Sequence, residues 1–283
     1  MSFDLVTPRS LAEAVALLDR DDPAVRPIAG GTALLLMLKS GLYRPTRLIS
    51  LRALGGELGQ ICADADGGLR IGAMVRLAEL ERSPEVWRAA PVIARLLRTH
   101  SNVRVRNVAT VGGNLAHGDP HMDLPPVLIA LGAEVEAMRP GGRRRLRVED
   151  LNAGYLETAL AGDELIAEVI VPPQHGRRAY YAKCTARAAD DWPALGVAVV
   201  LGRDGDRIAE PRIVVGAATE TPTRLMAAEG VLRDGRIGEA LLREAGRAAA
   251  AEAPVVADDH GSAAYKRQLV EIYVRRAIEG ALG

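Results

Sequence analysis

Two adjacent glycines bounded by short polar side chains, Thr110-Val111-Gly112-Gly113-Asn114, constrain this chain more than any other stretch. They follow Val103-Arg104-Val105-Arg106-Asn107-Val108, whose alternation of apolar and polar residues predicts an extended run, and they lead into the apolar stretch from Leu115 to Ala133. Without a Cβ such a pair reaches positive φ at little cost, and successive N–H groups can turn outward together to hold an anion. Thr110 and Asn114 add hydrogen-bonding side chains suited to an oxygen-rich ligand such as a pyrophosphate. A lone Gly-Gly pair is also what a tight turn with no ligand looks like.

A second stretch repeats the device. Ala29-Gly30-Gly31-Thr32 follows the short run Val25-Arg26-Pro27-Ile28 and opens Ala33 to Lys39, a helix-forming segment stopped by Gly41, with Thr32 placed to cap it. A glycine turn that delivers the chain into a helix start offers free N–H groups to a phosphate. Two such cradles predict a ligand with two phosphates. Neither has the dinucleotide pattern G-x-G-x-x-G or the nucleotide-loop pattern G-x-x-x-x-G-K-[ST], and neither spacing occurs elsewhere in the chain.

Length and composition set the frame for these loops. At 283 residues and 48% hydrophobic content the chain can fill the cores of two packed units. With 36 basic and 36 acidic residues it has no net charge, and nothing argues for a nucleic-acid or anionic-membrane partner. Cys62 and Cys184 are far apart and in no C-x-x-C spacing, which excludes an iron–sulfur cluster or cysteine zinc site held by this chain alone and fits a reducing compartment. Met1 to Leu18 lacks a basic start followed by an apolar core, and the longest apolar run, Ala33 to Leu38, is too short for a bilayer, so a cytoplasmic location is expected.

Taken in order, the chain opens with Phe3-Asp4-Leu5-Val6 as a strand, then Ser10 to Glu13 with capping-box spacing before a helix that Asp21-Asp22-Pro23 ends. With the first glycine loop and Arg47 to Leu51, this is the order of a small α/β unit with parallel strands, ending near Gly55-Gly56. Gln60 to Ala63 and Leu69 to Ala73 predict a hairpin about Asp64 to Gly68. Leu77 to Leu97 reads as helical with interruptions at Pro84 and Pro91, and Leu124 to Leu131 as an apolar helix. Strands follow around Ala133 to Met138 and Leu146 to Val148, with Arg143-Arg144-Arg145 as a solvated turn between them. Glu164 to Val171 is a last strand, and Pro172-Pro173 marks a domain boundary. Beyond it, Ala179 to Thr185, Leu195 to Leu201 and Ile208 to Val215 read as strands. Thr223 to Leu232, Ile237 to Glu252 and Ser262 to Leu282 read as helices, the last with Tyr265, Leu269, Ile272 and Ile278 on its core face.

The two glycine motifs, roughly eighty residues apart, with Asp123-Leu124-Pro125-Pro126 downstream, resemble the FAD-binding medium subunit of molybdenum hydroxylases, the xanthine dehydrogenase and carbon monoxide dehydrogenase family. The resemblance implies an α+β chain: a two-subdomain FAD-binding domain of the PCMH/VAO type over residues 1–175, with subdomains of about 1–56 and 57–175. A smaller domain with a three-stranded antiparallel sheet and a helical bundle follows over 176–283. It implies FAD as cofactor, with Ala29, Gly30, Gly31, Thr32 and Ala33 and with Thr110, Val111, Gly112, Gly113 and Asn114 cradling its pyrophosphate through backbone donors. Asp123, nine residues past Asn114, falls where the family hydrogen-bonds the FAD; it could equally cap the helix that starts at Leu124. Ile166 matches an aliphatic flavin contact, although a core strand residue looks the same. Lys183, one of only three lysines among the 36 basic residues, matches a lysine that reaches the flavin; it could instead be exposed. Arg187, Asp190, Asp191 and Trp192 would continue that edge, and His100 sits where relatives place an aromatic near the adenine.

The implied partners are a small 2Fe-2S subunit and a large molybdopterin subunit, assembled as a dimer of heterotrimers, with an external electron acceptor. No catalytic nucleophile is expected, since a flavin carries its own electron chemistry. His117 and His121 with Asp119 and Asp123 have the look of a metal cluster, but Pro120 disfavours the helix that would align the imidazoles, and no metal is expected. Ala33 stands where a polar residue is common, which removes one side-chain contact. A stand-alone FAD-dependent reductase or oxidase of the same fold, and a non-catalytic scaffold with a decayed flavin site, are the alternative readings.

Overall fold

The computed structural model describes residues 3–283. Its first unit is parallel, as the order of elements predicts: β1 (Asp4–Val6), α1 (Leu11–Ala16), β2 (Val25–Ile28), α2 (Leu34–Lys39) and β3 (Arg47–Ser50), with sheet order β1-β3-β2. Ser10 caps α1, its hydroxyl accepting from the Glu13 N–H at 3.1 Å.

A 3-10 turn over Leu51–Leu54 and α3 (Gly55–Leu58) lead into a five-stranded antiparallel sheet. The predicted hairpin is β4 (Ile61–Ala63) and β5 (Leu69–Gly72). Six helices follow: α4 (Leu77–Arg82), α5 (Pro84–Ala89), α6 (Pro91–Leu97), α7 (Val103–Arg106), α8 (Val111–Ala116) and α9 (Leu124–Leu131). Pro84 and Pro91 each occupy a helix start, where the missing N–H costs nothing, so the interrupted stretch becomes three short helices. The sheet is completed by β6 (Glu134–Arg139) and β7 (Gly142–Arg147), then, after the small ribbon β8 (Asn152–Gly154) and β9 (Glu157–Thr158), by β10 (Leu165–Val171), in the order β4-β5-β10-β6-β7.

Two readings of this region are corrected. Val103 to Arg106 is a helical turn, not a strand, because the Asn102 side chain accepts from the N–H groups of Arg104 and Val105 and so starts a helix. Arg143, Arg144 and Arg145 lie on β7 rather than in a solvated turn; Arg143 pairs with Glu136 on β6 and Arg144 with Glu164 in the turn before β10, so carboxylates of neighbouring segments hold their charges.

The central strand β10 serves two cores. Leu165 and Ala167 face the first unit, packing with Val15, Ile49 and Leu54, whereas Ile166, Val169 and Val171 face the helices. A register shift between Ile166 and Glu168 is what re-aims the alternation.

The remaining residues form a four-stranded antiparallel sheet, β11 (Arg178–Cys184), β12 (Leu195–Asp204), β13 (Arg207–Gly216) and β14 (Thr223–Arg224), covered by α10 (Met226–Leu232), α11 (Glu239–Glu252) and α12 (Ala263–Leu282). A fourth strand therefore joins the three expected. Thr223 and Arg224 pair with Val215 and Val214 before the helix begins, and Glu229 holds this arrangement by accepting from both the Arg224 guanidinium and the Ile213 N–H. On α12, Leu269 and Ile278 are buried as predicted, but Tyr265 and Ile272 are exposed. The buried face is rotated because Lys266, fully buried, donates to Asp258 and to the Ala217 carbonyl.

One element ties these units together. All eight residues of α9 are buried, packed against α6 on one side and β12 and β13 on the other, and Ala198, Val200 and Val214 belong to the same core as Leu128 and Leu131. Leu128→Ala should therefore lower unfolding stability by about 2–5 kcal/mol. Leu36→Ala, on the exposed side of α2, should change it by less than about 0.5 kcal/mol, with chemical denaturation read by circular dichroism as the measurement.

Candidate functional site

The first glycine loop leaves β2 and enters α2. Gly31 adopts φ +71°, and the N–H groups of Gly30, Gly31, Thr32 and Ala33 have no acceptor among the described residues. Thr32 does not cap α2 as the sequence suggests: the cap position falls on Ala33, which offers no side-chain bond, so no side chain claims the N–H groups that lead into this helix.

The second motif is built differently from its sequence reading. Thr110 is the cap of α8 and Val111 to Asn114 are its first turn, with no positive φ at either glycine. Their N–H groups are occupied: Val111 donates to the Val75 carbonyl at 2.9 Å, Gly112 to that of Ala73 at 2.8 Å, Gly113 to the Thr110 hydroxyl at 3.2 Å and Asn114 to the Thr110 carbonyl at 2.9 Å. What this motif can offer a ligand is thus the Thr110 hydroxyl proton and the Asn114 amide, not a row of backbone donors. Asn114 is buried, its Nδ2 lies 3.2 Å from the Met122 sulfur, and its Oδ1 has no partner. An orphaned buried amide oxygen beside a glycine cradle is a group that awaits a ligand.

The two motifs abut. A Cβ placed on Gly30 would lie 2.2 Å from the Val108 carbonyl oxygen, so the first loop rests directly on the chain entering the second. A Cβ on Gly113 would lie 3.8 Å from that of Ala29. The glycines are required less for unusual torsions than for this close approach of backbones.

Asp123 is the centre of a separate buried polar cluster. It is not a side-chain cap for α9; it accepts from Tyr181 Oη at 2.6 Å, His100 Nδ1 at 2.7 Å and Lys183 Nζ at 3.0 Å. Lys183 also donates to the Thr99 carbonyl at 3.1 Å, and it is buried rather than exposed. Burial alone would push the Asp123 carboxyl upward, but the His100 hydrogen bond and charge, the Lys183 charge and the Tyr181 hydroxyl outweigh it and hold the carboxyl below its ordinary range. Tyr181 is pushed well above the usual phenol value by burial and by the Asp123 charge. Sequence reading missed Tyr181 and Thr99. The period of two on β11, which puts residues 181 and 183 on one face, was the available signal for the tyrosine.

Ile166 is 5% exposed and packs in the same core as Val111 and Leu115. His121 is bracketed by two carboxylates, with Nδ1 3.0 Å from Asp119 and Nε2 3.1 Å from Asp258, and it stacks against Trp192 at 5.2 Å. Among the described residues no group of three His, Cys, Asp or Glu has metal-holding geometry. Arg187 and Asp190 are exposed and Asp191 is half-buried in the loop before Trp192, and none of them bonds to the glycine motifs among the described residues.

Residues 1–174 match the family described as FAD binding domain in molybdopterin dehydrogenase, and residues 179–281 match the CO dehydrogenase flavoprotein C-terminal domain. The chain is 35% identical over 277 residues to the nicotine 6-hydroxylase medium subunit of Paenarthrobacter nicotinovorans, covering 96% of this chain and 94% of that one. It is 30% identical over 280 residues to the carbon monoxide dehydrogenase medium chain of Afipia carboxidovorans, covering 99% and 96%. Among solved structures it superposes on carbon monoxide dehydrogenase from Hydrogenophaga pseudoflava with a TM-score of 0.95 at 32% identity, covering 100% of this chain and 98% of that one. It also superposes on quinoline 2-oxidoreductase from Pseudomonas putida 86 with a TM-score of 0.92 at 30% identity, covering 99% and 97%. The fold and the site thus define a flavoprotein component of an oxidoreductase. The chain belongs to the family of FAD-binding medium subunits of the molybdenum hydroxylases, and FAD is its cofactor.

The two buried ion clusters should respond oppositely to pH. The carboxyl of Asp123 is depressed in the folded state, so its contribution is complete above the ordinary carboxylate range and is lost as pH falls through the depressed value. His121 is opposed by burial but raised by Asp119 and Asp258, so its contribution is complete below the ordinary histidine value and is lost as pH rises through the raised one. Asp123→Asn should cost about 3–5 kcal/mol near neutrality, a deficit that closes below about pH 4. His121→Gln should show a deficit that is largest in mild acid and closes as pH rises past neutrality. Thermal unfolding across pH checks both slopes, and equal slopes would contradict the assignment.

Proposed function

We propose that this chain is the electron-transfer subunit of a molybdenum-containing hydroxylase or dehydrogenase in the cytoplasm, one member of a heterotrimer that pairs into a dimer. It takes electrons from a small 2Fe-2S subunit, which a large molybdopterin subunit reduces, and passes them to an external acceptor. Residues 1–175 form the flavin-binding domain, divided near residue 56, and 176–283 the C-terminal domain. Several relatives bear the names medium subunit or medium chain, which supports the division into subunits. With one exposed and one buried cysteine, far apart in sequence, this chain contributes no cluster ligands of its own, so the other redox centres belong to its partners.

The observation that carries the reading is the abutment of a loop with four unclaimed N–H groups on a motif with an unpartnered amide oxygen. Bound FAD supplies the redox chemistry. The N–H groups of Gly30 to Ala33 would donate to pyrophosphate oxygens, and from the facing side the Thr110 hydroxyl would donate as well, while the unpartnered Asn114 Oδ1 would accept from a ligand hydroxyl, with Val111, Gly112 and Gly113 forming the close wall between them. Asp123 keeps a lone pair on Oδ1 beyond its bond from Tyr181 and can accept from a ligand hydroxyl or amine. Lys183, fixed by Asp123 and Thr99, places a positive charge at that end, and Ile166 supplies an apolar contact.

Gly113→Val should abolish flavin retention in a chain that still folds, because its added atoms meet chiefly the Thr110 hydroxyl and the cradle. Gly112→Val should instead fail to fold, since its Cβ would come within 2.6 Å of that of Ala73. The visible flavin band and far-ultraviolet circular dichroism separate the two outcomes; full flavin content in folded Gly113→Val would count against the cradle. Purification of the natural complex should yield iron and molybdenum together with this chain, and a flavin-loaded chain that never associates with either metal would favour a stand-alone enzyme.

A further inference from the structure

The order of the C-terminal sheet leaves β11 at an open edge: β12 pairs with one side of it, and no described strand lies on the other. Edge strands in soluble proteins are often blunted by a bulge or a proline that discourages further pairing. This one has neither. Its seven residues keep an unbroken register with β12, contain no proline, and turn their single lysine inward onto Asp123.

Along that edge runs a cavity of about 590 Å³. Five consecutive residues, 179–183, form its floor; Leu96 and Arg95 on α6 lie on one wall, and Tyr273 and Arg276 on α12 on the other. Alternate N–H and C=O groups of an edge strand point away from its partner, so a trough floored by such an edge suits an extended polypeptide that can pair with them. The charge of the trough is one-sided. Arg95 and Arg276 are exposed and form no ion pair among the described residues, Arg276 resting 5.1 Å from the centre of the Tyr273 ring, and no aspartate or glutamate lines the cavity. The charge of Lys183 is matched by Asp123, so the excess is that of the two arginines, in a chain whose net charge is zero.

We propose that the β11 trough accepts an extended, acidic segment of a partner subunit as a fifth strand of the C-terminal sheet, held between Arg95 and Arg276. Backbone pairing along residues 179–183 supplies the affinity, and the two guanidinium groups select carboxylates on the incoming segment. The proposal rests on the multi-subunit reading given above.

Hydrogen–deuterium exchange followed by mass spectrometry, on the flavin-loaded chain alone and in its purified complex, tests it. The alternate amides of residues 179–183 that point away from β12 should exchange about tenfold or more slowly in the complex than in the isolated chain. The double variant Arg95→Glu with Arg276→Glu should weaken assembly about tenfold or more while flavin content stays unchanged, and the double arginine-to-lysine variant should largely restore it. An intact complex in which these amides exchange as they do in the isolated chain would overturn the proposal and leave the subunit reading standing. Slow exchange that appears in the isolated chain and grows with its concentration would overturn it in favour of a second copy. A wild-type chain that assembles with no partner would remove both readings together.

Discussion

A helix without a polar face has to be covered on every side, and the fold is arranged to cover α9. Leu124, Val127, Leu128, Ile129 and Leu131 point around the full circle of the helix, so neither α6 nor the C-terminal sheet could bury it alone. Each such side chain contributes about 1.5–3 kcal/mol when fully removed from water, which makes the shared core a substantial bond between the two halves. The sequence Leu124-Pro125-Pro126 also fixes where the helix can start, since prolines are tolerated only in its first turn. Asp123, one residue earlier, is carried into the interior by that placement.

A buried carboxylate is costly, by several kcal/mol after relaxation, and Asp123 is tolerated because three donors converge on it from different elements. His100 follows α6, while Tyr181 and Lys183 stand on β11. The cluster therefore does more to fix the docking of α6, α9 and β11 than to add net stability; a wrong angle between them would leave a charge unpaired. The second bridge between the halves has the same character. Asp119 and His121 come from the loop before α9, Asp258 from the connection between α11 and α12, and Lys266 from α12, and the fully buried ammonium of Lys266 is satisfied by Asp258 and the Ala217 carbonyl.

Much of this was legible in the residues, and the failures have physical causes. Long segments announced themselves: α11, α12 and the strands β10, β12 and β13 have enough residues for the period to be distinctive, and α9 shows as an unbroken apolar run behind two prolines. Val103 to Arg106 did not, because four alternating residues fit a strand as well as one helical turn, and the deciding group, the Asn102 side chain, lies outside the alternation. The glycine pairs were readable as places where a Cβ is forbidden, but not why. At Gly112 the reason is the Ala73 backbone and at Gly30 the Val108 carbonyl, contacts between segments remote in sequence. The same remoteness hid the His100, Asp123 and Lys183 cluster, whose members are brought together only by the packing of α9. Lys266 broke the helical stripe on α12 because a buried cation with two acceptors can occupy a position that periodicity reserves for leucine.

On the proposed assignment, the diphosphate site sits where three packing units meet. Gly30 to Ala33 belong to the first parallel unit, Thr110 to Asn114 to the helical layer of the second, and Lys183 to the C-terminal sheet. Within the protein alone these units touch through close backbone approach and a few buried ions, and the N–H groups of the first loop find no acceptor. A ligand that supplies oxygens to those donors adds bonds that no single unit could make. It binds only the docked state, and mass action then stabilises the docking by RT ln(1 + [L]/Kd). The ions at Asp123 and at His121 hold the units in register before the ligand arrives, so the ligand meets a cradle already assembled and loses little of its binding free energy to ordering the chain.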